Sequence, residues 1–253
     1  MILDKFRLDG KVAIVTGAFT GIGQAIAIAL AEAGADIVGV GRNPNPETKN
    51  KIENLGRRFL EIKADLSTIQ PIPEIIEKTL KEFKKINILV NNAGTIRRTD
   101  ALEFTEKDWD DVMNLNLKTA FFLSQSVAKE FIKQGTGGKI INIASILSFQ
   151  GGIKVSSYTA SKSGIMGITR ILANELAKFN INVNAIAPGY IVTDLTTELR
   201  EDQKRYNEIL SRIPTGRWGR PEDIQGTAVF LASEASNYIN GYTIAVDGGW
   251  LAR

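Results

Sequence analysis

Two side chains that can exchange protons lie four residues apart in a segment with helical spacing. They are Tyr158 and Lys162, and a separation of four places both on one helix face. A tyrosine phenol has an ordinary pKa of about 10, and a neighbouring ammonium stabilises the phenolate and lowers that pKa. The pair therefore predicts a general acid and base that moves a proton to or from an alcohol or carbonyl oxygen.

Two further polar residues are placed to complete such a site. Ser145 follows the apolar run from Lys139 to Ile143, which is typical of a buried strand. Ligands of open α/β sheets bind beyond the carboxyl ends of the strands, so we expect Ser145 to donate a hydrogen bond to a substrate oxygen. Asn116 lies among leucines in a long helical segment, where its amide needs a partner such as backbone or an ordered water.

A glycine-rich loop follows the first predicted strand and precedes a helical segment. Its glycines, Gly17, Gly21 and Gly23, let the backbone turn sharply and approach a ligand, because glycine has no Cβ. The helix that follows offers free N–H groups and the positive end of its dipole to phosphates. The loop therefore predicts a dinucleotide site; the alternative is an ordinary turn that needs glycine only for its backbone conformation.

The position that would contact the adenosine ribose leaves the choice of dinucleotide open. An acidic residue about 20 positions beyond the glycines holds the ribose 2′-hydroxyl of NAD, but Gly41 stands at the end of the second predicted strand. Arg42 follows, and it can pair with the 2′-phosphate of NADP or lie on the surface as a solvated charge.

Short apolar runs alternate with amphipathic segments along the whole chain. We count seven such runs, and this alternation predicts βαβ units and a parallel sheet. Near-continuous apolar strands indicate a sheet covered on both faces. We therefore predict an α/β fold, a single doubly wound Rossmann-like domain over residues 1–253 with a seven-stranded parallel sheet and helices on both faces. An eight-fold barrel is the competing architecture, disfavoured by the strand count and by the glycine loop.

Segments outside the predicted strands also carry expectations. Long helical regions are predicted at 105–133 and 157–178. The polar insertion at 193–212 is expected to form a substrate lid, with Thr196, Thr197 and Glu198 as candidates for polar contacts.

The composition excludes several kinds of chemistry. The chain of 253 residues contains no cysteine and no histidine, which rules out thiolate nucleophiles, the serine–histidine triad and almost every zinc site; we expect no metal. The net charge is +3 without a dense basic segment, so no nucleic-acid partner is expected. No apolar run reaches the roughly 18 residues of a membrane span and no secretory signal is visible, so we expect a cytoplasmic protein without a membrane partner.

Taken together, the glycine loop, Ser145, Tyr158 and Lys162 resemble the short-chain dehydrogenase/reductase family across the whole chain. The resemblance implies that Tyr158 is the general acid/base, that Lys162 tunes its pKa and binds ribose, and that Ser145 orients the substrate oxygen. It implies that Asn116 anchors a water relay through Lys162. The cofactor-binding residues predicted from the loop and the resemblance are, with Tyr158 and Lys162, Gly17, Phe19, Thr20, Gly21, Ile22, Gly23, Arg42, Asp65, Leu66, Asn92, Ala93, Gly94, Pro188, Gly189, Ile191 and Thr193.

Three segments are similar to a narrower group of bacterial sugar-acid dehydrogenases. Residues 141–152, 212–219 and 245–251 resemble the 2-deoxy-D-gluconate 3-dehydrogenases, also called 2-dehydro-3-deoxy-D-gluconate 5-dehydrogenases. This resemblance implies hydride transfer between a nicotinamide cofactor and a secondary alcohol or ketone of a small sugar acid. It favours NAD(H), with NADP(H) left open by Arg42, and it implies a homotetramer.

Candidate substrate residues and rival functions complete the expectations. Arg98, just after the fourth strand, can pair with a carboxylate, and Gln150 can hydrogen-bond a sugar hydroxyl; both join Ser145 and Tyr158 as substrate residues. The rivals are a gluconate 5-dehydrogenase, a 3-oxoacyl-carrier-protein reductase, and a non-catalytic dinucleotide-sensing module. The joint presence of Ser145, Tyr158 and Lys162 argues against the last of these.

Overall fold

Seven parallel strands form one hydrogen-bonded sheet at the centre of the structure. The computed structural model describes residues 1–253. The strands are β1 (Val12–Thr16), β2 (Asp36–Gly41), β3 (Phe59–Lys63), β4 (Ile88–Asn91), β5 (Gly138–Ile143), β6 (Ile181–Pro188) and β7 (Thr243–Val246). Their order is β3-β2-β1-β4-β5-β6-β7, so the connection after β3 crosses back over β2 and β1 to start the second half of the sheet. The predicted parallel seven-stranded sheet is confirmed.

Helices connect the strands and cover both faces of the sheet. They are α1 (Gly21–Glu32), α2 (Pro46–Asn54), α3 (Ile72–Phe83), α4 (Glu106–Met113), α5 (Thr119–Gln134), α6 (Ser156–Leu176), α7 (Thr197–Glu201), α8 (Gln203–Leu210) and α9 (Gln225–Ala232). Short 3₁₀ turns join many of these elements. None of the helices has the length and apolar character that crossing a membrane would require.

The strand β1 shows why the sheet must be buried on both sides. All five of its residues are buried. Successive side chains of a strand point to opposite faces: Ala13 and Val15 join the core beneath α1 and α9, whereas Val12 and Ile14 join the core beneath α3, α5 and α6. An uninterrupted apolar run is therefore what this central position demands.

The helical region predicted at 105–133 is interrupted by a wider turn. Thr105 caps its start, accepting a hydrogen bond from the Asp108 N–H at 3.1 Å, but α4 gives way to a π turn at Asn114–Lys118 before α5 begins. A π turn carries an extra residue per turn and often marks a functional site. The turn contains Asn116, and no feature of helical periodicity announces it. The region predicted at 157–178 is α6, followed by a 3₁₀ turn at Ala177–Phe179.

Candidate active site

The carboxyl ends of the central strands border a cleft of about 330 Å³. One wall comes from the loop between β1 and α1, another from the start of α6, and a third from the segment after β6. Most of the predicted residues meet here: Gly17, Thr20, Gly21, Ile22, Gly23, Asn92, Ala93, Gly94, Ser145, Tyr158, Lys162, Pro188, Gly189, Ile191 and Thr193. Ile143, Ala144, Asp194 and Leu195 also line the cleft with Thr196, and these four are additions to the predicted set. Their signal in the sequence is adjacency, because they flank Ser145 and Thr193.

The glycine loop is held in a conformation that leaves its backbone open to the cleft. Gly17 has a φ of +66°, and a Cβ on Gly23 would collide with the Gly17 carbonyl. Asn92 fixes the loop by donating to the Thr16 carbonyl oxygen at 2.9 Å. Thr20, the residue before α1, makes no side-chain cap, so its side chain does not occupy the first N–H groups of that helix. The loop therefore fits the pyrophosphate of a dinucleotide.

Four of the predicted cofactor residues lie outside the cleft, and the position of Phe19 has a clear physical reason. Its side chain is buried beside the end of β2, where a Cβ on Gly41 would lie 2.9 Å from the Phe19 ring. Phe59 packs edge-on against the same ring. Phe19 thus occupies the space that a side chain at position 41 would need, and its ring packs within the fold rather than lining the cleft.

The other three cofactor candidates outside the cleft are Arg42, Asp65 and Leu66, which follow the strands β2 and β3. Arg42 is exposed and forms none of the ion pairs found in the chain. Asp65 accepts a hydrogen bond from the Ser67 N–H at 3.0 Å, and buried Leu66 accepts one through its carbonyl from the Thr119 hydroxyl at 2.9 Å. Their predicted cofactor contacts stay predictions.

Ser145, Tyr158 and Lys162 come together through contacts between the end of β5 and the start of α6. The buried Lys162 ammonium donates to the Ile143 carbonyl oxygen at 2.6 Å and lies 5.7 Å from the centre of the Tyr158 ring. Ser148 joins the two elements a second time, because its hydroxyl donates to the Lys162 carbonyl at 2.6 Å and accepts from the Ser145 N–H at 3.3 Å.

The pKa values of Tyr158 and Lys162 both depart from the ordinary values of these side chains. Burial raises the pKa of the Tyr158 phenol, while hydrogen bonding to Ser145 and the charge of Arg98 lower it. Burial also lowers the pKa of Lys162 to about 8. Desolvation has the largest effect on Tyr158, and the Lys162 ammonium is directed at a backbone carbonyl, so the expectation that Lys162 lowers the Tyr158 pKa stays a prediction.

Asn116 is buried in the π turn with its amide fully engaged. Its Oδ1 accepts from the Thr95 N–H at 2.8 Å, and its Nδ2 donates to the Thr95 carbonyl at 2.9 Å and to the Ser161 hydroxyl at 3.2 Å. The side chain therefore ties the loop after β4 to α6 beside Lys162. Its predicted role in a water relay stays a prediction.

The two additional substrate candidates differ in their surroundings. The Arg98 guanidinium donates to the Leu195 carbonyl at 2.8 Å and to the Glu198 carboxylate at 3.2 Å, so it joins the loop after β4 to the segment predicted as a lid. That segment contains a 3₁₀ turn followed by α7 and α8. Gln150 is half-buried just beyond the 3₁₀ turn Ile146–Ser148. Neither Gln150 nor Arg98 lines the cleft itself, although the Arg98 partner Leu195 does.

The glycine loop, which can bind a pyrophosphate, and the trio Ser145, Tyr158 and Lys162 lie at the same edge of a doubly wound sheet. This combination is typical of a nucleotide-dependent oxidoreductase. The family model described as Enoyl-(Acyl carrier protein) reductase matches residues 17–251. The chain belongs to the short-chain dehydrogenase/reductase family, and it is an oxidoreductase of that family.

Individual relatives match the chain over all or nearly all of its length. A 2-dehydro-3-deoxy-D-gluconate 5-dehydrogenase from Dickeya dadantii is 67% identical over 100% of both chains. A solved structure from Agrobacterium tumefaciens that carries the name 2-deoxy-D-gluconate 3-dehydrogenase, with bound NADP, is 52% identical with a TM-score of 0.90 over 98% of this chain and 99% of its own. A structure from Beutenbergia cavernae named as a gluconate 5-dehydrogenase, with NADP at low occupancy, is 45% identical with a TM-score of 0.93 over 98% and 100%.

The buried Lys162 predicts a pH dependence of stability. Its pKa falls from 10.5 to about 8 on folding, so the unfolded chain binds more protons between these pH values and stability through this group increases as the pH rises across them. The full shift corresponds to about 3 kcal/mol. We expect wild type to gain stability relative to Lys162→Met between pH 7.5 and 10.5, measured as the free energy of unfolding in urea.

The matched control is Lys129→Met, which removes an exposed lysine of α5. Its stability difference from wild type should stay constant over the same pH range. A constant difference for Lys162→Met as well would contradict the burial argument.

Proposed function

We propose that the chain transfers a hydride between a nicotinamide dinucleotide and the secondary alcohol or ketone of a small sugar acid, with 2-dehydro-3-deoxy-D-gluconate as the first candidate. The observation that carries this proposal is the position of the Arg98 guanidinium, which donates to the carbonyl of Leu195, a residue that lines the cleft together with Tyr158. A substrate with a carboxylate at one end can pair with Arg98 while its carbinol lies at Tyr158. The name of the 67% identical relative supports the same substrate.

Tyr190, which follows the cleft residue Gly189, lies near further arginines. Burial raises the pKa of Tyr190, and Arg205, Arg212 and Arg98 all act in the opposite direction. Positive charge near this segment is compatible with an anionic substrate.

The proposed mechanism assigns one task to each member of the trio. When bound, the nicotinamide ring supplies the hydride acceptor or donor. In the oxidation direction, Tyr158 acts as the phenolate and its Oη takes the hydroxyl proton of the alcohol. The carbinol C–H bond breaks with loss of a hydride to the nicotinamide, and the C=O bond forms. The Ser145 hydroxyl donates a hydrogen bond to that oxygen throughout. Lys162 is assigned to the ribose of the dinucleotide, and the charge of Arg98 opposes the desolvation that otherwise keeps Tyr158 protonated.

The reaction is tested by assaying both dinucleotides against 2-dehydro-3-deoxy-D-gluconate, D-gluconate and a 3-oxoacyl thioester, following the absorbance of the reduced nicotinamide. We expect the highest kcat/KM with the first compound. Tyr158→Phe should lower kcat by about 10³-fold, the scale of general acid–base catalysis, with dinucleotide binding retained. Tyr238→Phe, at a fully exposed tyrosine, is the control. Near-normal turnover by Tyr158→Phe would remove the assignment, and a preference for D-gluconate or the thioester would favour the corresponding rival.

For the dinucleotide, we propose NADP(H) in place of the NAD(H) that the resemblance favours. Position 41 carries no carboxylate for a ribose 2′-hydroxyl, and Phe19 fills the space where one would stand. Arg42 is exposed after β2, and Lys63 lies in register with Gly41 on β3, also exposed. Neither cation has an ion-pair partner in the chain, and bound NADP in two similar structures supports the same choice.

Removal of the Arg42 charge tests this choice. Arg42→Gln should lower kcat/KM for NADP about tenfold or more, because a hydrogen bond to a charged group is lost, and leave kcat/KM for NAD unchanged. The NAD measurement serves as the internal control for folding. Equal losses with both dinucleotides would contradict the proposal, and a wild-type preference for NAD would reverse it.

We propose that residues 193–212 act as the substrate lid and that Arg98 binds the substrate carboxylate. The Arg98 guanidinium already touches this segment at Leu195 and Glu198. Closure would therefore bring lid and anion site together. The roles of Gln150 and the homotetramer stay predictions.

Two variants distinguish two roles of Arg98, binding of the substrate carboxylate and a contact that only holds the segment 193–212. Arg98→Met should raise KM for the sugar acid about tenfold or more, because a charge-assisted contact is lost. Glu198→Gln frees the guanidinium from its carboxylate partner, so KM should stay equal or fall. Steady-state kinetics with saturating dinucleotide measures both. Equal increases in KM for the two variants would show that Arg98 acts through the lid alone.

A further inference from the structure

A large groove lies at the amino ends of the strands, at the sheet edge opposite the catalytic cleft. Its volume is about 1110 Å³. Its walls include Lys11 just before β1, Asn87 just before β4 and Lys139 at the start of β5. Nothing in the proposed reaction uses this edge of the molecule.

Positive charge in the groove lacks neutralising partners. Lys11 and Lys139 are half-buried and Lys85 is exposed, and no carboxylate lies within ion-pair distance of these three ammonium groups among the salt bridges of the chain. Two acidic residues share the wall: Asp9 is paired with Arg7, and exposed Glu234 acts on Lys139 only over a longer distance. A partly buried charge without a counter-ion is costly, which favours binding of an anion.

The Lys139 ammonium is held in place by neutral groups. It donates to the Asn182 Oδ1 at 2.9 Å and to the Asn237 Oδ1 at 2.7 Å. An ammonium has three N–H donors, so one is left for a ligand. Burial lowers the pKa of Lys139 to about 8, and the charge of Lys11 acts in the same direction; a bound anion would counteract both effects.

Further N–H groups are available beside this lysine. Asn87 uses its Oδ1 to accept from the Val12 N–H at 3.0 Å, which orients the amide, and its Nδ2 donates to no group of the chain. The Nδ2 of Asn237 also donates to no group of the chain, because Lys139 engages only the oxygen of that amide. The groove thus offers positive charge together with neutral donors, the combination that carboxylate and phosphate oxygens need.

We propose that this groove is a second ligand site, distinct from the catalytic cleft, which binds a small molecule bearing a carboxylate or phosphate group through Lys139, Lys11 and Asn87. Both kinds of ligand present oxygens of the same charge and hydrogen-bonding character. The proposal does not depend on the identity of the substrate.

The test uses the protein saturated with NADP, so that the glycine loop is occupied and cannot bind the probe. Inorganic phosphate and succinate are titrated separately by calorimetry at constant ionic strength. We expect binding of at least one probe, with phosphate alone indicating a phosphate-bearing ligand and succinate alone a carboxylate. Absence of binding by both would overturn the proposal.

Variants then locate the binding. Lys139→Met and Lys11→Met should each weaken it about tenfold, Lys139→Arg should retain it, and Lys129→Met, at an exposed lysine of α5, should leave it unchanged. If Lys139→Met fails to fold, Lys11→Met and Lys139→Arg still decide the outcome. Equal affinity in Lys11→Met and wild type would place the anion elsewhere and overturn the assignment.

Discussion

A buried ammonium directed at the end of a central strand is the interaction on which the catalytic site depends. Lys162 cannot be buried without a partner for its charge, and it finds one in the Ile143 carbonyl at 2.6 Å. The Ser148 hydroxyl closes a second connection to the backbone of Lys162. Together these contacts join the end of β5 to the first turns of α6. Ser145 lies two residues beyond β5 and Tyr158 lies in the first turn of α6, so these contacts fix their relative position.

The sheet beneath the site is reinforced by polar contacts of the same kind. Asn91 donates to Asn142 at 2.8 Å and to the Ser124 hydroxyl at 2.8 Å, and Asn142 donates to the Thr169 hydroxyl at 2.9 Å. All of these side chains are buried. A buried hydrogen-bond network stabilises one arrangement, because each group left unpaired is costly. It links β4 and β5 to α5 and α6, which are the elements that carry or support the proposed catalytic residues.

The sequence alone predicts those features of the structure that depend on local residue patterns. Apolar runs predict the strands because a sheet covered on both faces requires them, and the spacing of Tyr158 and Lys162 places both on α6 as expected. Phe19 is different: its place depends on the absence of a side chain at Gly41, a contact between residues far apart in the chain. The π turn at Asn116 and the upward shift of the Tyr158 pKa likewise arise from tertiary packing and desolvation, for which helical periodicity gives no signal.

The chain contains no histidine and no cysteine, so the charge near Tyr158 comes from other side chains, and Arg98 is one of them. Its charge lowers the pKa of the Tyr158 phenol, while its guanidinium holds a carbonyl and a carboxylate of the segment 193–212. A displacement of that segment therefore changes the neutralisation of Arg98, and with it the potential at Tyr158, because Coulomb interactions in a partly desolvated site are weakly screened. In the proposed roles of residues 193–212 as lid and of Tyr158 as general acid/base, access to the cleft and the proton affinity of Tyr158 are coupled through this one side chain. A histidine base would have a pKa near neutrality without such help, whereas a buried tyrosine needs a cation close by to ionise.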